Sequence, residues 1–134
     1  MLRQDDIKPG SVIELETDVL DAWGAMSRAN PSEVTHPQML LCIYADQGDS
    51  IWVPLYSEGG AGRMWLSTNG RSGDATWTHG RFYYRPGDYW RASLSAVMAA
   101  SFFGAGKRDI PTENALDPAE FPAQLVRSAP GRDS

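Results

Sequence analysis

Two histidines are the only side chains in this 134-residue chain whose ordinary pKa lies close to neutral pH. His36 stands in Val34-Thr35-His36-Pro37, directly ahead of the apolar run Met39-Leu40-Leu41-Cys42-Ile43. A histidine at the mouth of a sheet can take up and return a proton near pH 7, the basic requirement of general acid–base chemistry. The competing reading is an ordinary surface or capping histidine, and His79, in a His-Gly turn, fits that reading better still. The second group with chemical potential is the stretch Trp77-Thr78-His79-Gly80-Arg81-Phe82-Tyr83-Tyr84-Arg85, continuing to Tyr89-Trp90-Arg91. Aromatic faces interleaved with guanidinium groups can stack bases and neutralise phosphates. Strand alternation turns about half of such rings inward, so part of this content belongs to the core.

Other recognisable chemistry is missing. The sequence holds no paired-cysteine metal site, phosphate-cradling glycine loop, dinucleotide fingerprint or nucleophile elbow. Two histidines do not make a histidine-rich metal site, and no cofactor is expected. The single cysteine, Cys42, excludes an intrachain disulfide and lies in an apolar run, where a buried, inert thiol is expected. That usage suits a reducing compartment. The N-terminus Met1-Leu2-Arg3-Gln4-Asp5-Asp6 is too polar for a signal peptide, and no apolar stretch approaches the ~20 residues of a membrane span. A cytoplasmic location is therefore expected.

The net charge is −5, unevenly spread. Residues 1–58 carry −7, residues 59–91 carry +3 with five arginines (63, 71, 81, 85 and 91), and residues 92–134 carry −1. An acidic chain is a poor generic binder of nucleic acid, yet the arginine block can still form a local anion-facing patch. The alternative is that the block pairs with the acidic N-terminal part inside one fold.

These residues need elements to hold them. With 42% hydrophobic and 22% charged residues, the chain has a globular composition and the length of one domain, expected over residues 1–127 with a loose tail at 128–134. Pro9-Gly10 leads into an alternating strand over 11–16. Spacing of Val19, Leu20, Trp23 and Met26 predicts a helix within 17–30, weakened by Gly24, with a long inter-strand loop as the competing assignment. The segments Gln38–Tyr44 and Ser50–Tyr56, joined by Asp46-Gln47-Gly48-Asp49, predict a β-hairpin, with Pro54 at an edge or bulge. A short strand is expected at Arg63–Leu66 and a further hairpin from Ala75–Thr78 and Arg81–Tyr84. Asp88 is expected to cap a helix over 89–103, and Asp117-Pro118 to open a short helix reaching about Arg127, limited by Pro122. Strands first and helices last fit an α+β fold, a small, strongly bent antiparallel barrel with helices on one side.

The order Lys8-Pro9-Gly10-Ser11-Val12-Ile13, then His36-Pro37 before the aliphatic strand, then Ile51-Trp52-Val53-Pro54-Leu55, resembles the MazF/PemK toxins of type II toxin–antitoxin pairs. The resemblance covers mainly residues 8–57. Tyr89-Trp90-Arg91-Ala92 and the Pro118–Leu125 region are faintly similar to the family's C-terminal half. It implies an SH3-like barrel, a homodimer, metal-independent cleavage of single-stranded RNA, and an antitoxin partner that occludes the site. The family carries arginine where this chain has His36, and threonine where it has Tyr56 and Ser57. Carried over, the catalytic candidates are His36, Tyr56 and Ser57, and the substrate-binding candidates are Arg63, Arg81, Arg85 and Tyr83.

The same departures fit a scaffold without catalysis, which the acidic balance favours. The second reading is thus a protein-binding domain on a similar barrel: an inhibitor, an immunity protein or a phage accessory protein. A third is a peptide- or glycan-binding module using Trp65, Trp77 and Tyr83. A toxin should gather His36, Ser57 and an arginine in one groove; a binding module should expose an aromatic patch without a convergent polar cluster.

Overall fold

The computed structural model describes residues 4–29, 33–35, 38–103 and 114–128. Its centre is the expected hairpin, β3 (Gln38–Asp46) and β4 (Asp49–Pro54), which reverses at Gln47-Gly48, where Gly48 takes φ +85°. Glycine adopts that left-handed value without steric cost. Ile43 is an extra residue in β3, because Cys42 pairs with Trp52 but Tyr44 with Ile51. Pro54 ends β4, where its missing N–H costs the ladder nothing.

β1 (Ser11–Leu15) pairs with β3, and β8 (Trp90–Ser93) with β4. The described strands β2 (Met26–Ser27), β9 (Asn114–Leu116) and β6 (Arg71–Ser72) complete a seven-stranded antiparallel sheet in the order β2-β8-β4-β3-β1-β9-β6. β5 (Met64–Trp65) and β7 (Tyr83–Tyr84) form a separate two-stranded ribbon, tied to the end of β4 by a bridge between Tyr56 and Tyr83. Among the described residues, no pairing of β2 with β6 closes the sheet into a barrel. The fold is α+β, with a mostly antiparallel sheet and few helices.

Both faces of the sheet are covered, which is why the central strands read as continuous apolar runs. Ile13, Leu15, Leu40, Cys42, Trp52, Trp90 and Ala92 pack with residues of α1 (Thr17–Ala22) and α3 (Leu94–Phe103). Val12, Leu41, Ile43, Ile51, Val53 and Leu116 point the other way, onto Leu66, Trp77 and Leu125. Trp77 lies in α2 (Ala75–His79) and Leu125 in α4 (Ala123–Ser128).

Four expectations are corrected. The helix expected within 17–30 stops at Ala22: Gly24 adopts φ +85°, the chain re-enters the sheet as β2, and Trp23 and Met26 are exposed. Residues 75–79 form a helix, not a hairpin arm, because the Asp74 carboxylate accepts a 2.9 Å hydrogen bond from the Trp77 N–H and so caps a helical turn. The strand at 83–84 pairs instead with β5. The helix expected from 89 begins at Leu94, capped by Ser93, whose Oγ accepts from the Ala96 N–H at 3.1 Å. Residues 90–93 are strand, with Trp90 and Ala92 inward and Arg91 and Ser93 outward. Asp117 does cap the turn begun by Pro118, but that turn is a 3-10 one over Pro118–Glu120, and α4 starts after Pro122. Among the described residues, no helix is long and apolar enough to cross a membrane.

Candidate functional site

The end of β4 delivers Tyr56 to the base of the ribbon. Its backbone exchanges two 2.8 Å hydrogen bonds with Tyr83, which fixes the β4 end against β7. The phenol is 5% exposed, and its Oη donates to Asp88 Oδ2 at 2.8 Å. Burial, then this hydrogen bond to a carboxylate, pushes the Tyr56 hydroxyl well above the usual phenol range. Asp88 is held in the turn Arg85–Asp88, closed by the Asp88 N–H donating to the Arg85 carbonyl at 3.1 Å.

Two guanidinium groups meet at Tyr56. That of Arg63 lies over the Tyr56 ring at 3.8 Å from its centroid, and that of Arg85 is 5.8 Å away. Both face Glu33. Its Oε1 accepts from Arg63 Nη2 at 2.7 Å and from Arg85 Nη2 at 2.8 Å, while its Oε2 accepts from Arg85 Nη1 at 3.0 Å. The hydrogen bond from Arg85 leads the causes that hold the Glu33 carboxyl at about 2, against an ordinary 4.5. Arg85 Nη1 also reaches Asp88 Oδ2 at 3.1 Å.

The loop 59–62 seats the arginines. Arg63 Nη1 donates to the Glu58 carbonyl at 2.9 Å, and Arg85 Nε and Nη2 donate to the Ala61 carbonyl at 3.1 and 3.0 Å. Gly62 takes φ +75°, which glycine adopts without strain, and a methyl group on Gly60 would stand 3.3 Å from Arg63 Cδ.

Of the residues selected from the sequence, Tyr56, Arg63, Arg85 and Tyr83 therefore share one cluster. Ser57 follows Tyr56 in an exposed bend. Arg81 is exposed, and no hydrogen bond or ion pair joins it to the cluster. His36 and Pro37 lie outside the described residues. Their described neighbours reach toward the same end of β4: Thr35 N and Oγ1 each donate to Gln38 Oε1 at 3.0 Å, and Gln38 Nε2 donates to the Leu55 carbonyl at 2.6 Å.

Glu33 and Asp88 were not legible as site residues. Asp88 passes as a helix cap, although its i,i+3 spacing from Arg85 across Pro86-Gly87 is a usable signal. Glu33 has no local signal; only the charge contrast between residues 1–58 and 59–91 hints at it. That contrast is resolved by contact, since Arg63 and Arg85 pair with Glu33, and Arg91 Nε with Asp49 Oδ2 at 2.8 Å.

The other candidates are structural. Arg71 donates to the carbonyls of Leu66, Ser67, Trp77 and Gly80 at 2.7–3.1 Å and stacks on Trp77 and Phe82. Trp77 is fully buried, which removes it from any peptide- or glycan-binding surface. Cys42 is buried, and desolvation pushes its thiol up to about 12. Among the described residues, no group of three or more His, Cys, Asp or Glu could hold a metal ion. A cavity of about 220 Å³ is lined by Thr17, Asp18, Asp21, Ser27, Ala29, Val34 and Trp90; no residue of the Tyr56 cluster lines it, and its carboxylates have the wrong sign for phosphate.

No protein-family model matches the chain, and comparison with curated proteins and with solved structures finds no match.

Proposed function

We propose that the chain is a PemK/MazF-like domain acting on single-stranded RNA, its sheet curled as an SH3-like barrel. The observation that carries this reading is the convergence of Tyr56, Arg63 and Arg85 at the end of β4, with Ser57 next in the chain. Two fixed guanidiniums on an aromatic ring are suited to a backbone phosphate beside a base. The stretch that carries the resemblance runs through β1, β3 and β4, where Gly10 N donates to the Cys42 carbonyl at 2.8 Å.

The chemistry follows from RNA itself. The ribose 2′-oxygen forms a bond to the adjacent phosphorus while the bond to the 5′-oxygen breaks. His36 accepts the 2′ proton, the departing 5′-oxygen takes a proton from water, and Ser57 with the arginines offsets charge on the phosphate oxygens. Because the nucleophile belongs to the substrate, no cofactor is required. A homodimer and an antitoxin covering the site belong to the same reading.

One observation favours the second reading, a non-catalytic protein-binding domain. Glu33 and Asp88 offset both arginines, while Trp65 and Met64 on β5 are 56% and 38% exposed. Incubation with single-stranded RNA in EDTA, beside His36→Ala and Arg85→Ala, separates the two. Cleavage lost in both variants supports the ribonuclease, and intact RNA leaves the binding domain.

A further inference from the structure

The Glu33 carboxylate occupies the place where an anionic ligand would sit. It bridges two arginines, accepting two hydrogen bonds from Arg85 and one from Arg63. A guanidinium fork grips carboxylate and phosphate in the same planar manner.

The clamp holds its shape by other contacts. Arg85 is anchored twice on the Ala61 carbonyl and once on Asp88; Arg63 is anchored on the Glu58 carbonyl and packed on the Tyr56 ring. Glu33 comes from a separate segment, 30 residues from Arg63 and 52 from Arg85 in sequence, and its side chain is 25% exposed, so solvent and ligand can reach it. Its departure leaves both guanidiniums seated on backbone carbonyls. Arg63 Nε is also buried with no partner among the described residues, a donor that the carboxylate does not use.

Charge points the same way. With Glu33 in place, two arginines face two carboxylates, Glu33 and Asp88. Without it the clamp carries one net positive charge, which matches one phosphodiester.

We propose that Glu33 is a displaceable plug in an Arg63–Arg85 phosphate site, so that the site is closed at rest and binds an RNA phosphate only when that carboxylate leaves. The RNA part of this statement rests on the function proposed above; the plug does not.

Calorimetric titration with inorganic phosphate, paired with fluorescence anisotropy of a labelled single-stranded oligoribonucleotide, tests it on the full chain. The proteins are the parent, Glu33→Ala and Glu33→Ala/Arg85→Ala, each first checked for a cooperative urea transition. The expected result is phosphate binding about tenfold tighter in Glu33→Ala, with the gain removed by Arg85→Ala. Glu33→Gln, which keeps the size and one acceptor oxygen, replaces Glu33→Ala should the alanine variant not fold. A folded variant with no gain for phosphate overturns the plug. A gain for phosphate with none for the oligonucleotide upholds the plug and counts against RNA as the ligand.

Discussion

Tyr56 and Asp88, 32 positions apart, are joined by a 2.8 Å hydrogen bond between two nearly buried side chains. This bond fixes the phenol on which Arg63 stacks, and it gives the Asp88 carboxylate a partner besides Arg85. Tyr56→Phe keeps the ring and removes the donor. The expected loss is about 2 kcal/mol of unfolding free energy, the usual size for a hydrogen bond to a charged group. Urea denaturation should show a lower midpoint at unchanged slope.

Arg71 holds together the segment from Leu66 to Gly80 by serving four carbonyls with one guanidinium. Lysine retains the charge but not the fork, so it cannot reach those acceptors together. Arg71→Lys should cost about 3 kcal/mol, as carbonyls in a half-buried loop lose their donors. Thermal unfolding followed by near-UV circular dichroism reports it through Trp77.

Gly10 sits at φ +100°, its N–H bonded to Cys42 and its carbonyl to Leu116 at 2.8 Å each. A methyl group there would run into the Leu116 carbonyl, so both conformation and space oppose a side chain. Gly10→Ala should destabilise by about 2 kcal/mol or more and loosen β9 from β1. Amide exchange of Leu116 should quicken beyond the global effect.

Stability should fall on both sides of neutrality. Glu33 is held at about 2 against an ordinary 4.5, so the unfolded chain binds its proton first and the contribution disappears as pH drops from about 4.5 toward 2. Glu33→Gln should flatten that limb. Cys42 has an ordinary value of 9.0 and is raised to about 12, while Tyr56 and Tyr84 are raised from 10.0. Above pH 9 the unfolded chain therefore gives up protons that the native state keeps, and stability declines as pH rises. Urea midpoints between pH 7 and 11 should fall, with the onset moved toward pH 10 in Cys42→Ala.

The hairpin of β3 and β4 was legible because both sheet faces are buried, giving apolar runs on either side of Asp-Gln-Gly-Asp. The start of α3 was not. Trp90, Leu94 and Val97 satisfy helical spacing, yet Trp90 and Ala92 also alternate with Arg91 and Ser93, and pairing with β4 decides the matter. Asp74, in Ser72-Gly73-Asp74, has the composition of a turn, and only the hydrogen bond it accepts from the Trp77 N–H shows that it caps a helix. At the site, Tyr56, Arg63 and Arg85 could be chosen by residue type. Glu33 could not, because its partners are brought to it only by the packing of loops far apart in sequence.

The most direct measurement of the central claim is analysis of RNA ends. Single-stranded RNA is incubated in EDTA with the full chain as parent, Glu33→Ala and Arg85→Ala, and the active proteins should give fragments ending in 2′,3′-cyclic phosphate and 5′-hydroxyl. Cleavage should be faster in Glu33→Ala and absent in Arg85→Ala. Intact RNA with stoichiometric parent protein and with folded Glu33→Ala would contradict the ribonuclease account and leave the Tyr56 cluster as part of a protein-binding surface.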